Sequence, residues 1–328
     1  MTSRRGLFAI LLAPALLASA AQAQSDPTQS YPRHPVWLYA PQAPGGPTDL
    51  LAHAIAQRLQ AAFGQRVFVE NRGGSSGIVA GRAVANARPD GYTLLMGNTS
   101  TLVLVPMLSQ AMSYDPTKLF APVARVAESY QVLVVNASLP VNSVAALVAY
   151  ARANPGKLNY ASTGIANTNH LSSELFGGSA GVSMIHVPYK SGAAATTAVL
   201  NGEVQMTFIN IASVRPLIAN GKLRALAVTS ADRQALLPEV PTMIESGFPD
   251  FVVRPFFGIV APAGTPVPIV DKLNDAINAT MASQEMQTAL NELDAKAGSG
   301  TAADFATFMA NDRTRWLDLL RHANLGVD

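Results

Sequence analysis

The sequence predicts an α/β protein built as two lobes joined by two crossing strands. Three observations carry that expectation. Strand and helix signals alternate from Val36 to Met96 and again from Val132 to Thr229, the pattern of parallel sheets with helices on their faces. A strand-like run at Gly258–Ala261 follows the second unit and is read as returning to the first. The 328 residues, 49% of them apolar, supply core enough for two such units. With crossings placed near Tyr130 and Phe257, residues 24–130 and 258–328 form one lobe and residues 131–257 the other. Two lobes on two strands make a hinge, and the space between them is a natural ligand cleft.

Residues 1–23 stand apart from this fold. Arg4 and Arg5 precede the apolar run Leu7–Ala20, and Ala21-Gln22-Ala23 fits the small-x-small cleavage pattern of a secretory signal peptide. The competing reading is a retained anchor, for which the run is short. Cleavage after Ala23 takes two arginines and no acid from the 23 basic and 21 acidic residues, leaving 21 of each. The net charge of +2 then becomes formally zero, and a periplasm-like destination is expected.

In the first unit Val36–Ala40 reads as a strand and Thr48–Phe63 as a helix, with apolar Leu51, Ala54, Ile55, Leu59 and Ala62 at helical spacing and Gly64 as the stop. Strand Val67–Glu70, helix Ile78–Ala87, the turn Pro89-Asp90-Gly91 and strand Tyr92–Met96 follow. The second unit runs from strand Val132–Val135 through helix Val144–Arg152, strand Leu158–Ala161, a helix through Leu171–Phe176 and strand Ile185–Val187. Helix Ala193–Asn201 and strands Val204–Phe208 and Leu223–Thr229 complete it. Proline-bearing Asp232–Asp250 reads as loop, and Pro268–Ala282, Glu285–Leu293 and Ala302–His322 as closing helices.

Composition excludes several functions. Only 13% of residues are charged, against about a quarter in an ordinary soluble domain. Near-neutrality argues against nucleic acid as a partner. The absence of cysteine removes a disulfide scaffold, a zinc ribbon, an iron–sulfur site and a thiol nucleophile. The chain has no HExxH, P-loop or GxGxxG motif, and its five histidines lack zinc-ligand spacing. No metal and no cofactor are expected.

What remains is a set of donor-rich turns at helix starts. Gly45-Gly46-Pro47-Thr48-Asp49 lets the backbone approach a ligand and presents free N–H groups. The same residues also suit a plain turn capped by Thr48 or Asp49. Asn71-Arg72-Gly73-Gly74-Ser75-Ser76-Gly77 is either an anion cradle, with Ser75 and Gly77 as contacts, or a bland turn. It also spells a nucleophile elbow, Gly73-x-Ser75-x-Gly77, which would require Asp232 or Asp250 and His322 as partners and lacks an oxyanion segment. Ser162, Thr163, Asn167 and His170 line a third turn, in which His170 either meets a ligand carboxylate or caps and packs its helix. Tyr189 and Lys190 open a fourth, and Asn98 and Asn210 stand at strand ends. Lys190 attracts an anion or is a solvated surface charge.

In series these segments resemble the Bug family, the extracytoplasmic solute-binding components of tripartite tricarboxylate transporters. The likeness runs from about Tyr31 to the last helix. It rests on Ala43-Pro44-Gly45-Gly46-Pro47-Thr48-Asp49, Val69-Glu70-Asn71-Arg72, Pro89-Asp90-Gly91-Tyr92-Thr93-Leu94 and Asn159-Tyr160-Ala161-Ser162-Thr163-Gly164. His170-Leu171, Glu174-Leu175-Phe176, Val187-Pro188-Tyr189-Lys190, Leu226-Ala227-Val228-Thr229 and Pro238-Glu239-Val240-Pro241-Thr242 continue it. The resemblance implies a two-lobed Venus flytrap of the periplasmic type II-like class and no enzymatic activity. It further implies a small carboxylate held between the turns at Gly45–Asp49 and Ser162–Gly164, partly through water. A two-component membrane permease is the implied partner, and a monomer the usual state; the alternative to transport is a ligand-sensing domain of a signalling system. The chain departs from the family pattern at Thr168-Asn169-His170, where Ser-Pro-His is usual, and at Phe208-Ile209, where Phe-Asp is usual. The second change should make that wall less negative.

Overall fold

The computed structural model describes residues 30–108 and 115–323, without the side chain of Ser75. The leader at 1–23 lies outside the described residues. The strands are β1 (Val36–Ala40), β2 (Val67–Asn71), β3 (Thr93–Asn98), β4 (Phe120–Ser129), β5 (Gln131–Asn136), β6 (Asn159–Ser162), β7 (Ile185–Pro188), β8 (Met206–Asn210), β9 (Leu223–Val228), β10 (Phe256–Pro262) and β11 (Ala295–Ala297). The helices are α1 (Pro47–Phe63), α2 (Ile78–Ala85), α3 (Val105–Leu108), α4 (Pro116–Leu119), α5 (Val144–Ala153), α6 (Thr168–Ala180), α7 (Gly192–Leu200), α8 (Ile211–Ala219), α9 (Val267–Met281), α10 (Gln284–Glu292) and α11 (Ala302–His322).

Local sequence accounts for these elements. Along β1, Val36, Leu38 and Ala40 are buried while Trp37 is exposed, so alternation marks one covered face. Leu51, Ile55 and Leu59 of α1 pack into the same cluster as those three residues. Each such leucine contributes about 2 kcal/mol by leaving water. Gly64 ends α1 at φ +65 and donates to the Gln60 carbonyl, a conformation that favours glycine. Ser143 caps α5 by accepting from Ala146 N–H, and Thr301 and Asp304 form a capping box at α11.

The strands form two sheets, ordered β11-β4-β10-β3-β1-β2 and β7-β6-β8-β5-β9. In the first, β1 runs parallel to β2 and β3, and β10 is antiparallel between β3 and β4. In the second, β6 runs parallel to β7 and β8, and β5 is antiparallel between β8 and β9. The two lobes therefore share one plan, with a strand of distant sequence origin inserted in each. The chain passes between sheets at Tyr130, the single residue separating β4 from β5. The return path is bonded to this crossing: Ser129 N–H donates to Pro255 O (2.8 Å), and Val253 N–H to Thr229 O (3.0 Å).

The structure adds elements that periodicity does not show, β4, α8 and β11 among them. β4 carries Pro122 and Arg125 inside an otherwise apolar run, and its pairing with β10 shifts register twice. α8 carries Pro216 in its interior, a residue that ordinarily argues against a helix. β11 is three residues long. The final helix also does more than close the first lobe. Trp316, Leu319 and Leu320 of α11 share an apolar cluster with Leu175 and Phe176 of α6. Gly178 of α6 lies so close to the end of α11 that an added Cβ would sit 2.3 Å from the Ala323 carbonyl oxygen. Among the described residues no helix is long and apolar enough to cross a membrane.

Candidate ligand site

The parallel strands of both sheets end toward one another, and their strand-to-helix turns enclose a cavity of about 1520 Å³. Open α/β sheets bind ligands at the carboxyl ends of such strands. The starts of α1, α6, α7 and α8 all border this cavity. Gly46 and Asn210, the residues that enter α1 and α8, make no side-chain cap, so backbone N–H groups there stay available. Helix starts attract negative charge through those groups and the aligned peptide dipoles.

Several sequence-predicted residues line this space directly. They are Gly45, Gly46, Gly77, Thr163, Asn167, His170, Tyr189, Lys190 and Asn210. Gly45 (φ +85) turns the chain beside the cleft. Gly77 (φ +98) admits no side chain, because a Cβ would stand 2.4 Å from Thr101 Oγ1.

Other candidates are placed behind the cavity wall. Asp49 is buried, and its carboxylate accepts from Gly45 N–H and Asn71 Nδ2, both at 2.8 Å. Thr48 is fully buried and donates to Gln42 Oε1 (2.8 Å). Asn98 Oδ1 accepts from Thr101 N–H (3.1 Å) and its amide donates to Thr48 Oγ1 (3.4 Å). Ser162 is buried against His186 Nε2 (2.5 Å) and accepts from Gly164 N–H (3.1 Å). These groups shape the turns rather than face the open cavity. Asn98 and Asn210 also border a second space of about 40 Å³, shared with Gln42, Ser100 and Asn167. Its size and polar walls suit water.

Sequence reasoning missed the contacts that join the lobes. Ser76, not Ser75, adopts the left-handed backbone (φ +53), and its hydroxyl donates to the Ile165 carbonyl across the mouth (2.6 Å). In a nucleophile elbow the serine itself sits on the strained turn; here the strained serine is Ser76, with its hydroxyl engaged. Deeper in, Ser100 Oγ donates to Asn167 Oδ1 (2.7 Å) and accepts from Thr168 N–H (3.3 Å). Ala166, also left-handed (φ +57), packs with Ile78 and Val105 of the other lobe. The pattern of paired serines gave no sign of which one would reach across.

The charge of the cavity wall is sparse and lies on the second lobe. Lys190 and Glu174 are the lysine and the glutamate that line it. Tyr160 donates its hydroxyl to Glu174. His170 packs on His186 with ring centroids 4.3 Å apart, and His186 stacks on Tyr160 at 5.0 Å. Burial, with a contribution from His186, lowers the His170 pKa to about 4. Burial also lowers that of His186, with Glu174 opposing. His170 Nδ1 is buried without a hydrogen-bond partner. Both imidazoles are therefore neutral at pH 7, and apart from Lys190 the wall offers hydroxyls, amides and N–H groups.

Such a fold and cleft define a two-lobed solute-binding receptor. Residues 51–325 match the family model described as tripartite tricarboxylate transporter family receptor. The chain belongs to that family, the Bug-type solute-binding receptors. It is 34% identical to Protein BugT of Bordetella pertussis over 322 residues, covering 98% of this chain and 97% of that one. Among solved structures it resembles an R. palustris protein determined with adipate, at 37% identity and TM-score 0.85, covering 90% of this chain and 98% of that one. MatC of Rhodopseudomonas palustris with bound malate is 30% identical with TM-score 0.83, covering 88% and 100%. Receptors of this family are periplasmic.

Proposed function

We propose that this protein captures a small carboxylate between its lobes and delivers it to a two-component membrane permease, without catalysing a reaction on it. The observation that carries this reading is the convergence of four helix starts on one cavity whose wall holds a single lysine. That arrangement suits one anionic group held by fixed dipoles, at little cost in reorganisation. The adipate and malate bound by the two structural relatives are both carboxylates, which supports the ligand class.

In this reading Gly45, Gly46 and Gly77 supply backbone approach from the first lobe. Thr163, Asn167, His170, Tyr189, Lys190 and Asn210 face the ligand from the second, and Ser75 is a further contact. Thr48, Asp49, Asn98 and Ser162 hold the turns in shape, and the 40 Å³ space between Gln42, Ser100 and Asn210 accommodates bridging water. Closure is completed by the Ser76–Ile165 and Ser100–Asn167 links. The lobes comprise residues 24–130 with 258–328, and residues 131–257. The leader is removed after Ala23, and the mature protein acts as a monomer in the periplasm.

Calorimetry of the mature protein against mono-, di- and tricarboxylates tests the core of this reading. Saturable binding of at least one is expected, and silence across the series by folded protein overturns it. A pull-down with the permease components, compared with and without ligand, tests delivery. N-terminal sequencing of exported protein tests cleavage after Ala23.

A further inference from the structure

The cavity does not stop at the helix starts. It continues from the first turn of α7 between α7 and α8, where Ala193, Thr197 and Leu200 face Ser213 and Leu217. On α7 these positions are spaced by four and three residues, and on α8 by four, so each set lies along one helix face. Ile209 forms the base, its Cδ1 3.7 Å from the Cβ position of Gly192. Ala193 and Thr197 are exposed and Leu200 and Leu217 half-buried, so the groove is open along one side. None of the cavity-lining residues on α7 or α8 carries a charge. Lys190 stands at its entrance, beside the α7 start, and not at its far end.

We propose that the ligand is a monocarboxylate with an extended apolar tail. Its head meets the helix starts and Lys190, and its tail leaves the cleft along the α7–α8 groove over Ile209, Leu200 and Leu217. The proposal rests on the carboxylate reading above and narrows it. From Gly192 to Leu200 the α7 axis advances about 12 Å, which accommodates an extended chain of about eight carbons beyond the head. A second carboxylate at that distance would lose water against Leu200 and Leu217, with no cavity-lining cation on α7 or α8 to receive it.

Calorimetry with straight-chain monocarboxylates of increasing length, and with dicarboxylates of matched length, tests this. Affinity is expected to rise about two-fold per added methylene, roughly half the gain of full burial because one side of the groove is open. Each dicarboxylate is expected to bind at least ten-fold more weakly than the monocarboxylate of equal length. Excess short-chain monocarboxylate should displace the long one, since they share the head site. Thr197→Leu, on the exposed face of α7, should steepen the length dependence. Leu217→Asn should flatten it. A flat length series, or matched dicarboxylates binding more tightly, overturns the tail assignment while carboxylate capture stands. Binding by none of them, in folded protein, overturns both.

Discussion

In the first lobe the turn after β1 is tied down by a carboxylate: Asp49 gathers Gly45 N–H and the Asn71 amide, and Gly46 leads into α1 with no side-chain cap. In the second lobe the equivalent turn after β6 is tied down by neutral groups. Ser162 bonds to His186 and Gly164, Thr163 Oγ1 donates to Asn169 Oδ1 (3.0 Å), and Asn167 caps α6. Apart from the edge strand β11 the strand orders are equivalent, so the difference lies in the anchors. The first lobe offers bare backbone, fixed from behind by a buried acid. The second offers side chains, several of them titratable. Under the proposed function, the first half grips the anion through its backbone and the second carries the groups that discriminate.

The largest effect should come from filling the first lobe's backbone approach. Gly77→Ala places a methyl against Thr101 Oγ1 in a left-handed backbone and should destabilise by about 3–5 kcal/mol, read by chemical denaturation. The second lobe should be distinguished by pH. Burial lowers the folded His170 pKa to about 4, against the ordinary 6.5 of an exposed imidazole, so on acidification the unfolded chain takes up its proton first. Stability from this residue is intact above about pH 6.5 and falls by up to about 3 kcal/mol as pH drops to about 4. His170→Gln should flatten that part of the stability profile. An unchanged profile would remove the histidine from the comparison.

Asp49→Asn should cost about 2 kcal/mol, because a charged acceptor of two hydrogen bonds becomes an amide that satisfies only one. Ligand affinity should fall with it, since the Gly45 turn loses its anchor. The smallest effect belongs to the link between lobes. Ser76→Ala removes one hydrogen bond, worth about 1 kcal/mol, and should speed ligand dissociation about five-fold in stopped flow with little change in melting temperature.

The fold was largely legible because strands and helices in each lobe advertise their buried faces. Val36, Leu38 and Ala40 alternate, and Leu51, Ile55 and Leu59 recur at helical spacing. β4 and α8 were not legible, since Pro122, Arg125 and Pro216 mask patterns that tertiary pairing then enforces. The turns of the site were legible as turns. Which polar atoms face outward was not. Asp49 and Ser162 read as ligand contacts, yet both are consumed in holding backbone, and the reaching hydroxyl is Ser76. Those assignments depend on the direction of a side chain at a left-handed residue and on a partner many residues away. One-dimensional pattern contains neither.

The helix α6 has the ligand turn at its beginning and Gly178, pressed against Ala323, near its end. At 1.5 Å per residue its 13 residues span about 20 Å. A reorientation of this rod on loading would therefore be transmitted to the tail of α11, at the opposite end of α6 from its first turn. A dye attached near the end of α11 should brighten or dim with occupancy, giving an optical readout without altering a single residue that lines the cavity.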